Sequence, residues 1–184
     1  MRDLVITQNI TLDGAVEMLG DWFDPQGQDA EVLAELRRQD ETCDALLLGR
    51  RTFEAFRGYW PDQLGEDQTG VAEQLDRVSK HVVSSTLTDP AWRHSTIISG
   101  DPVDAARALK AQAGQDIVVT GSITLCHALI EADLVDEYRQ FVVPVVQGRG
   151  RRLFPEGVEV PSLTLTESLS FSSGIVCLKH RPVR

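Results

Sequence analysis

CDALLLGRRTFEAF, Cys43 to Phe56, holds a hydrophobic run, Ala45-Leu46-Leu47-Leu48, that stops abruptly at Gly49. A continuously apolar run is the pattern of a strand buried on both faces. Arg50, Arg51 and Thr52 follow, and a new apolar pattern begins at Phe53. In parallel α/β sheets, ligands bind beyond the carboxyl ends of the strands. Gly49 lets a ligand or a second backbone approach closely. Arg50 and Arg51 carry permanent charge and can grip phosphate oxygens in a bidentate fork. Thr52 is placed to cap the following helix, whose N-terminal N–H groups attract anions. The competing reading pairs both arginines with some of the 28 acidic residues on the surface.

The same grammar recurs along the chain. Thr120-Gly121-Ser122-Ile123-Thr124 ends an apolar run, turns on a glycine and opens a helix. Ser122 would serve as an ordinary cap if no ligand were involved. Ser84-Ser85-Thr86 ends a third run with hydroxyls, which suit a phosphate or a plain turn. A ligand with several phosphates, such as a dinucleotide, accounts for all three strand ends together. Arg50 and Arg51 would then form a local positive pocket in an acidic protein.

Strand-like and helix-like stretches alternate, which is the α/β signature. Strands are expected at Leu4–Thr7, Ala45–Leu48, His81–Ser84, Thr96–Ile98, Ile117–Thr120 and Glu137–Val146. Asn9 to Gln28, with three glycines and a proline, reads as one long and therefore functional loop. Helices are expected over Ala30–Gln39, Val71–Leu75, Pro102–Ala113 and Ser122–Ala132, with Asp101 capping the third. Leu163–Leu169 and Ile175–Lys179 flank a hairpin turn at Phe171–Gly174. No helix separates that last pair, so the sheet is expected to be mixed, mainly parallel with an antiparallel C-terminal edge.

The chain's 184 residues suit a single domain with a sizeable core. Its net charge of −10 and pI near 4.8 argue against nucleic acid and anionic membrane as partners. MRDLVITQNI lacks the apolar segment of a signal peptide, and no run has the length of a membrane span. Cys43, Cys126 and Cys177 are odd in number and lie in apolar contexts, as reduced core thiols of a cytoplasmic protein do.

In order along the chain, NITLDG, DALLLGRRTFEAF, KHVVSSTL and IVVTGSITLCHALIEADLVDEYRQFVVPVVQGRGRRLFP resemble the dihydrofolate reductase-like superfamily. The branch is that of the C-terminal reductase domain of bacterial riboflavin-biosynthesis proteins. With the late strands, the resemblance covers nearly the whole chain. It implies a doubly wound mixed sheet, bound NADPH, a small-molecule substrate and a homodimer. It places Gly49, Arg50, Arg51 and Thr52 at the pyrophosphate, and Ser84 and Ser85 at the adenosine 2′-phosphate. Thr120, Gly121, Ser122, Ile123 and Thr124 become the phosphate-binding helix start, with Ser122 where dihydrofolate reductases have a second glycine. Asn9, Thr11, Asp13 and Gly14 flank the nicotinamide and substrate, and Trp22 either walls a planar ring or latches on the core.

The departure concerns an acid. Dihydrofolate reductases carry a pterin-binding carboxylate on the preceding helix, and that position is Leu33 here. Asp13, Asp29 and Glu31 are the remaining proton-handling candidates, and a usable one should show a raised pKa in a dry pocket. The resemblance implies hydride transfer to a small planar heterocycle. The alternatives are reduction of 5-amino-6-(5-phosphoribosylamino)uracil and a non-catalytic nucleotide-binding homodimer. GRGRRLF, residues 148–154, lacks the third glycine of a dinucleotide fingerprint and reads as a loop. Its Arg149 or Arg151 is placed to reach a dimer neighbour. His81, His94, His127 and His180 have no metal-ligand spacing, so no metal is expected. Asp136 and Glu137 adjoin on a strand and should point to opposite faces.

Overall fold

The computed structural model describes residues 1–24, 27, 29–160 and 162–183. Eight strands form one sheet: β1 (Leu4–Thr11), β2 (Cys43–Gly49), β3 (Ser79–Val83), β4 (Ser95–Ile98), β5 (Asp116–Val119), β6 (Glu137–Val143), β7 (Leu163–Ser170) and β8 (Val176–Pro182). Their spatial order is β4-β3-β2-β5-β1-β6-β8-β7. The first six run parallel, and β8 joins β6 antiparallel and then pairs antiparallel with β7. This is the mixed sheet with an antiparallel C-terminal edge that the sequence implies. The helices are α1 (Ala30–Asp40), α2 (Arg50–Arg57), α3 (Val71–Arg77), α4 (Pro102–Lys110) and α5 (Ile123–Glu131), with a 3₁₀ turn at Trp60–Gln63.

The apolar run of β2 is explained by its two buried faces. Leu47 packs with Leu4, Ile6, Ile117 and Leu129 on one side. Leu46 and Leu48 face the other side, against Phe53, Trp60, Leu75 and Trp92. Alternation of side chains along a strand therefore sends every residue of the run into a core. A third cluster joins Val32 of α1 to Phe141 and Cys177. All three cysteines are free and buried.

Several boundaries differ from the sequence reading. The expected loop from Asn9 begins later, because β1 keeps pairing with β6 as far as Thr11 opposite Val143. The part of that loop at Pro25, Gln26 and Gln28 lies outside the described residues. β6 stops at Val143, where Pro144 has no N–H to continue the ladder. α4 ends at Lys110, three residues short of the expected Ala113, and the Lys110 ammonium donates to Leu134 O at 2.8 Å and pairs with Asp136. Asp101 caps α4 as expected, accepting from Val103 N at 2.8 Å.

The topology has one consequence for function. β5 is inserted between β1 and β2, so the helices that follow β2 and β5 start side by side. Both start at the carboxyl edge of the parallel sheet, with no loop longer than a few residues intervening. Replacing the fully buried Leu47 by alanine should lower unfolding free energy by about 2–5 kcal/mol in urea melts, with an unchanged denaturant slope.

Candidate functional site

Two strand ends are fastened to each other. Gly49 N donates to Ser122 Oγ at 3.0 Å, and Ser122 N donates to Thr52 Oγ1 at 2.8 Å. Gln8 of β1 completes the clasp: its Nε2 donates to Gly121 O at 2.7 Å and its Oε1 accepts from Gly121 N at 3.2 Å. Gly121 has φ +56°, and a Cβ there would lie 3.0 Å from Thr52 Cγ2, so both conformation and space require glycine. Ser122 is also left-handed, at φ 42°, a cost that its two hydrogen bonds across the clasp offset.

This arrangement corrects the expected role of Thr52. Gly49, not Thr52, is the N-cap of α2, and the Thr52 hydroxyl serves the neighbouring helix start instead. Neither Gly49 nor Ser122 makes a side-chain hydrogen bond into its own helix. The first turns of α2 and α5 thus keep their donors for something outside the helix.

What they face is a cavity of about 1020 Å³. Gly49, Arg50, Arg51, Thr52, Thr120, Gly121, Ser122, Ile123 and Thr124 all line it. Arg50 leans toward Glu54, with a closest approach of 3.9 Å. Arg51 makes no ion pair among the described residues. From this lip the cavity continues between α1 on one side and α2 and α3 on the other, past Leu33, Leu36, Phe56 and Leu75.

Ser84 and Ser85 are not part of the lining. Ser84 Oγ accepts from Thr86 N and Leu87 N at 3.2 and 2.9 Å, which closes a turn, and Ser85 is exposed. Of the early-loop residues, Asn9 lines the cavity, whereas Thr11, Asp13, Gly14 and Trp22 do not. The Asp13 carboxylate is occupied by Thr11 Oγ1 at 2.6 Å and by the N–H groups of Gly148 and Gln147 at 2.8 and 3.1 Å. The Thr11 hydroxyl, then those two amides, bring its pKa down to about 2. Trp22 Nε1 donates to Gln147 Oε1 at 2.7 Å. Glu17, Met18 and Phe23 reach the cavity from this loop, and Arg151 holds Glu17 at 2.8 Å and keeps it ionised. Arg151, expected to reach a dimer neighbour, is thus engaged within its own chain.

Asp29 is the N-cap of α1, accepting from Glu31 N and Val32 N. Desolvation pulls its pKa upward, but the bonds from Ser173, Glu31 and Val32 prevail and hold it at about 2. Glu31 accepts from Ser172 N at 3.0 Å. Asp29 and Glu31 therefore anchor the hairpin turn and do not line the cavity, and neither Asp13 nor Asp29 has the raised pKa wanted of a proton donor. Asp136 and Glu137 separate as expected: Asp136 Oδ2 accepts from Leu4 N, while Glu137 pairs with Arg139 and Arg181.

The lining carboxyl that is raised is Asp40, at the end of α1. Burial lifts it to about 6, against the pull of Arg77 and Arg139. No periodicity marks it in the sequence, since its burial comes from the packing around the far end of α1. Among the described residues no group of three or more His, Cys, Asp and Glu could hold a metal ion, and no helix is long and apolar enough to cross a membrane.

The RibD C-terminal domain family model matches residues 2–177, and the chain belongs to that family. It is 28% identical over 180 residues to the uncharacterized protein YyaP of Bacillus subtilis (strain 168), covering 95% of this chain and 92% of the relative. Among solved structures it superposes with TM-score 0.73 on a chain named for riboflavin biosynthesis from Shewanella sp. PV-4, at 20% identity and 99% coverage of both. The dihydrofolate reductase of Enterococcus faecalis, solved with NADP(H), gives TM-score 0.65 at 14% identity, covering 99% of this chain and 97% of that one. The fold is thus dihydrofolate reductase-like.

Replacing Ser122 by alanine strips the partner from Gly49 N–H and keeps the left-handed backbone, so it should cost about 1–3 kcal/mol in a urea melt. Asp40 binds its proton up to about pH 6 when folded but only to about 3.8 when unfolded. Its contribution to stability is therefore full below the lower value and is lost as pH rises through the higher one. Asp40→Asn should stabilise the protein at pH 7.5 by on the order of 2 kcal/mol and leave it unchanged near pH 4, measured by melts at both.

Proposed function

We propose that this chain is an NADPH-dependent reductase that delivers hydride to a small planar heterocycle. The observation that carries this reading is the clasp, which sets two uncapped helix N-termini and two arginines at one lip of a large cavity. Phosphate oxygens are the ligand that such an assembly suits: backbone N–H donors, two positive helix ends and guanidinium groups in a protein that is otherwise strongly acidic. Family membership supports the same reading, since its structural neighbours include a reductase solved with NADP(H).

The coenzyme, when bound, supplies the hydride. The chain's share is anchoring and exclusion of water. Arg51, which makes no ion pair among the described residues, grips phosphate. Arg50, only loosely drawn to Glu54, joins it. Ile123 and Thr124 present the first-turn amides of α5. Leu33, Leu36, Leu46 and Phe56 form a dry, apolar wall for the substrate ring. Glu17 is held ionised by Arg151 and so does not supply the proton that follows hydride. Leu33 at the place of the expected carboxylate favours one second reading, a nucleotide-binding protein without turnover.

Calorimetric titration with NADPH checks the proposal. NADPH should bind and should raise the melting midpoint by mass action. Arg51→Ala should weaken it tenfold or more, and Arg50→Ala by a smaller factor. Affinity unchanged in both variants would contradict the assignment. Binding without oxidation across pterins, flavin precursors and quinones would leave the nucleotide-binding reading in place.

A further inference from the structure

The face that α1 buries is an unusual one. Its buried residues are Val32, Glu35 and Gln39, which share one side of the helix. Glu35 is tolerated there because Lys179 and Arg38 pair with it, at 2.7 Å each. Leu33 and Leu36 are only half-buried, and both line the cavity. A helix that packs on a sheet normally turns its leucines inward and its charges outward. Here the leucines border open space, although Leu36 also touches the Val32, Phe141 and Cys177 cluster.

The sheet has a matching gap. β5 lies between β1 and β2, and its Val118 pairs with Val5 on one side and Leu46 on the other. A central parallel strand is normally covered on both faces. Val118 is nonetheless only half-buried and lines the cavity, as do Val71 of α3 and Phe56 of α2. Apolar side chains from two helices and a central strand therefore converge on a space that no part of the described chain fills.

Charge narrows what belongs there. Arg50 and Arg51 stand at the lip, just past the end of β2. Arg151 is engaged by Glu17 at 2.8 Å. Arg139 is 7% exposed and donates to Glu137 and Asp116. Its unpartnered Nη1, like Gln39 Oε1, is closed off from solvent and offers a ligand nothing. Asp40 makes no ion pair among the described residues, and Arg77 and Arg139 act on it without pairing. Beyond the lip, an anionic group would thus meet no free cation among the described lining residues and would share the space with the Asp40 carboxyl.

We propose that the trough lined by Leu36, Leu75 and Val118 receives an apolar arm, free of negative charge, carried by the substrate ring. The word substrate rests on the reductase reading, whereas the selectivity of the trough does not depend on the coenzyme. With the lip held by coenzyme phosphates, rings with a phosphoribosyl or carboxylate tail are excluded, 5-amino-6-(5-phosphoribosylamino)uracil among them. Length follows from the strand. Leu46, the partner of Val118, lies three residues before Gly49, about 10 Å along an extended chain. A ring near the lip reaches Val118 only through a short extended arm.

Two matched probes test this on the wild-type chain at pH 7.5: 4-(2-naphthyl)butan-1-ol and its phosphate monoester. Each is titrated without coenzyme in excess inorganic pyrophosphate, which fills any anion site at the lip, and binding is followed by amide NMR. The alcohol should shift the amides of Leu36, Leu75 and Val118, and the phosphate ester should do so with at least tenfold weaker affinity. Leu36→Asp should weaken the alcohol about tenfold. Equal or tighter binding of the ester at those amides, no shift with the alcohol, or undiminished alcohol affinity in folded Leu36→Asp would each overturn the proposal. Shifts at the same amides on dilution of the protein alone would assign the trough to a second copy of the chain and overturn it too. The wild-type comparison decides even if the variant does not fold. A separate NADPH titration reports on the reductase reading: its failure beside intact selectivity for the alcohol would sink that reading and leave the trough standing.

Discussion

The ends of β2 and β5 exchange hydrogen bonds across residues that lie 70 or more apart in the chain. Gly49 N–H goes to the Ser122 hydroxyl, and Ser122 N–H goes to the Thr52 hydroxyl. Each hydroxyl that could have capped its own helix is spent on the other strand's end. Two helices consequently begin at one point with their own first turns uncapped. The large cavity, the arginines at its lip and the glycine at position 121 all depend on that exchange. A methyl group at Gly121 would crowd Thr52, which would have to give by a few tenths of an ångström, on a left-handed backbone that disfavours side chains.

Electrostatics divides the cavity into regions. The carboxylates nearest to it at the early loop are neutralised locally: Asp13 by a hydroxyl and two amides, and Glu17 by Arg151. Their commitment leaves the lip positive in a chain whose net charge is −10. At the far end, burial rather than pairing governs Asp40, and Arg139 is balanced by two acids. One end thus carries unpaired positive charge, the middle is apolar, and the other end holds a buried carboxyl beside a guanidinium already balanced by two acids.

Much of this was legible in the sequence, for specific reasons. Ala45–Leu48 reads as a strand buried twice over, and Leu46 and Leu47 do enter opposite cores. Asp101-Pro102 announces a helix start, and the absence of a helix between the last strands announces an antiparallel edge. What could not be read depends on residues distant in sequence. Thr52 looks like a cap because its partner, Ser122, is remote in the chain. Ser84 looks like a phosphate ligand because a turn-closing serine and a ligand-binding serine have the same neighbours. Asp13 and Asp29 look available as acids because Gln147, Gly148 and Ser173 return to them only in the fold. Asp40 and the unpaired atoms of Gln39 and Arg139 have no local signature, since α1 must first pack on the sheet to bury them.

Amide-resolved NMR during an NADPH titration bears most directly on whether the joined strand ends cradle a phosphorylated coenzyme. The largest shifts should fall on the backbone N–H groups of Arg50, Arg51, Thr52, Ile123 and Thr124, saturating together with one dissociation constant. Shifts confined to other surfaces, or two groups that saturate at different concentrations, would contradict a single site built on the clasp.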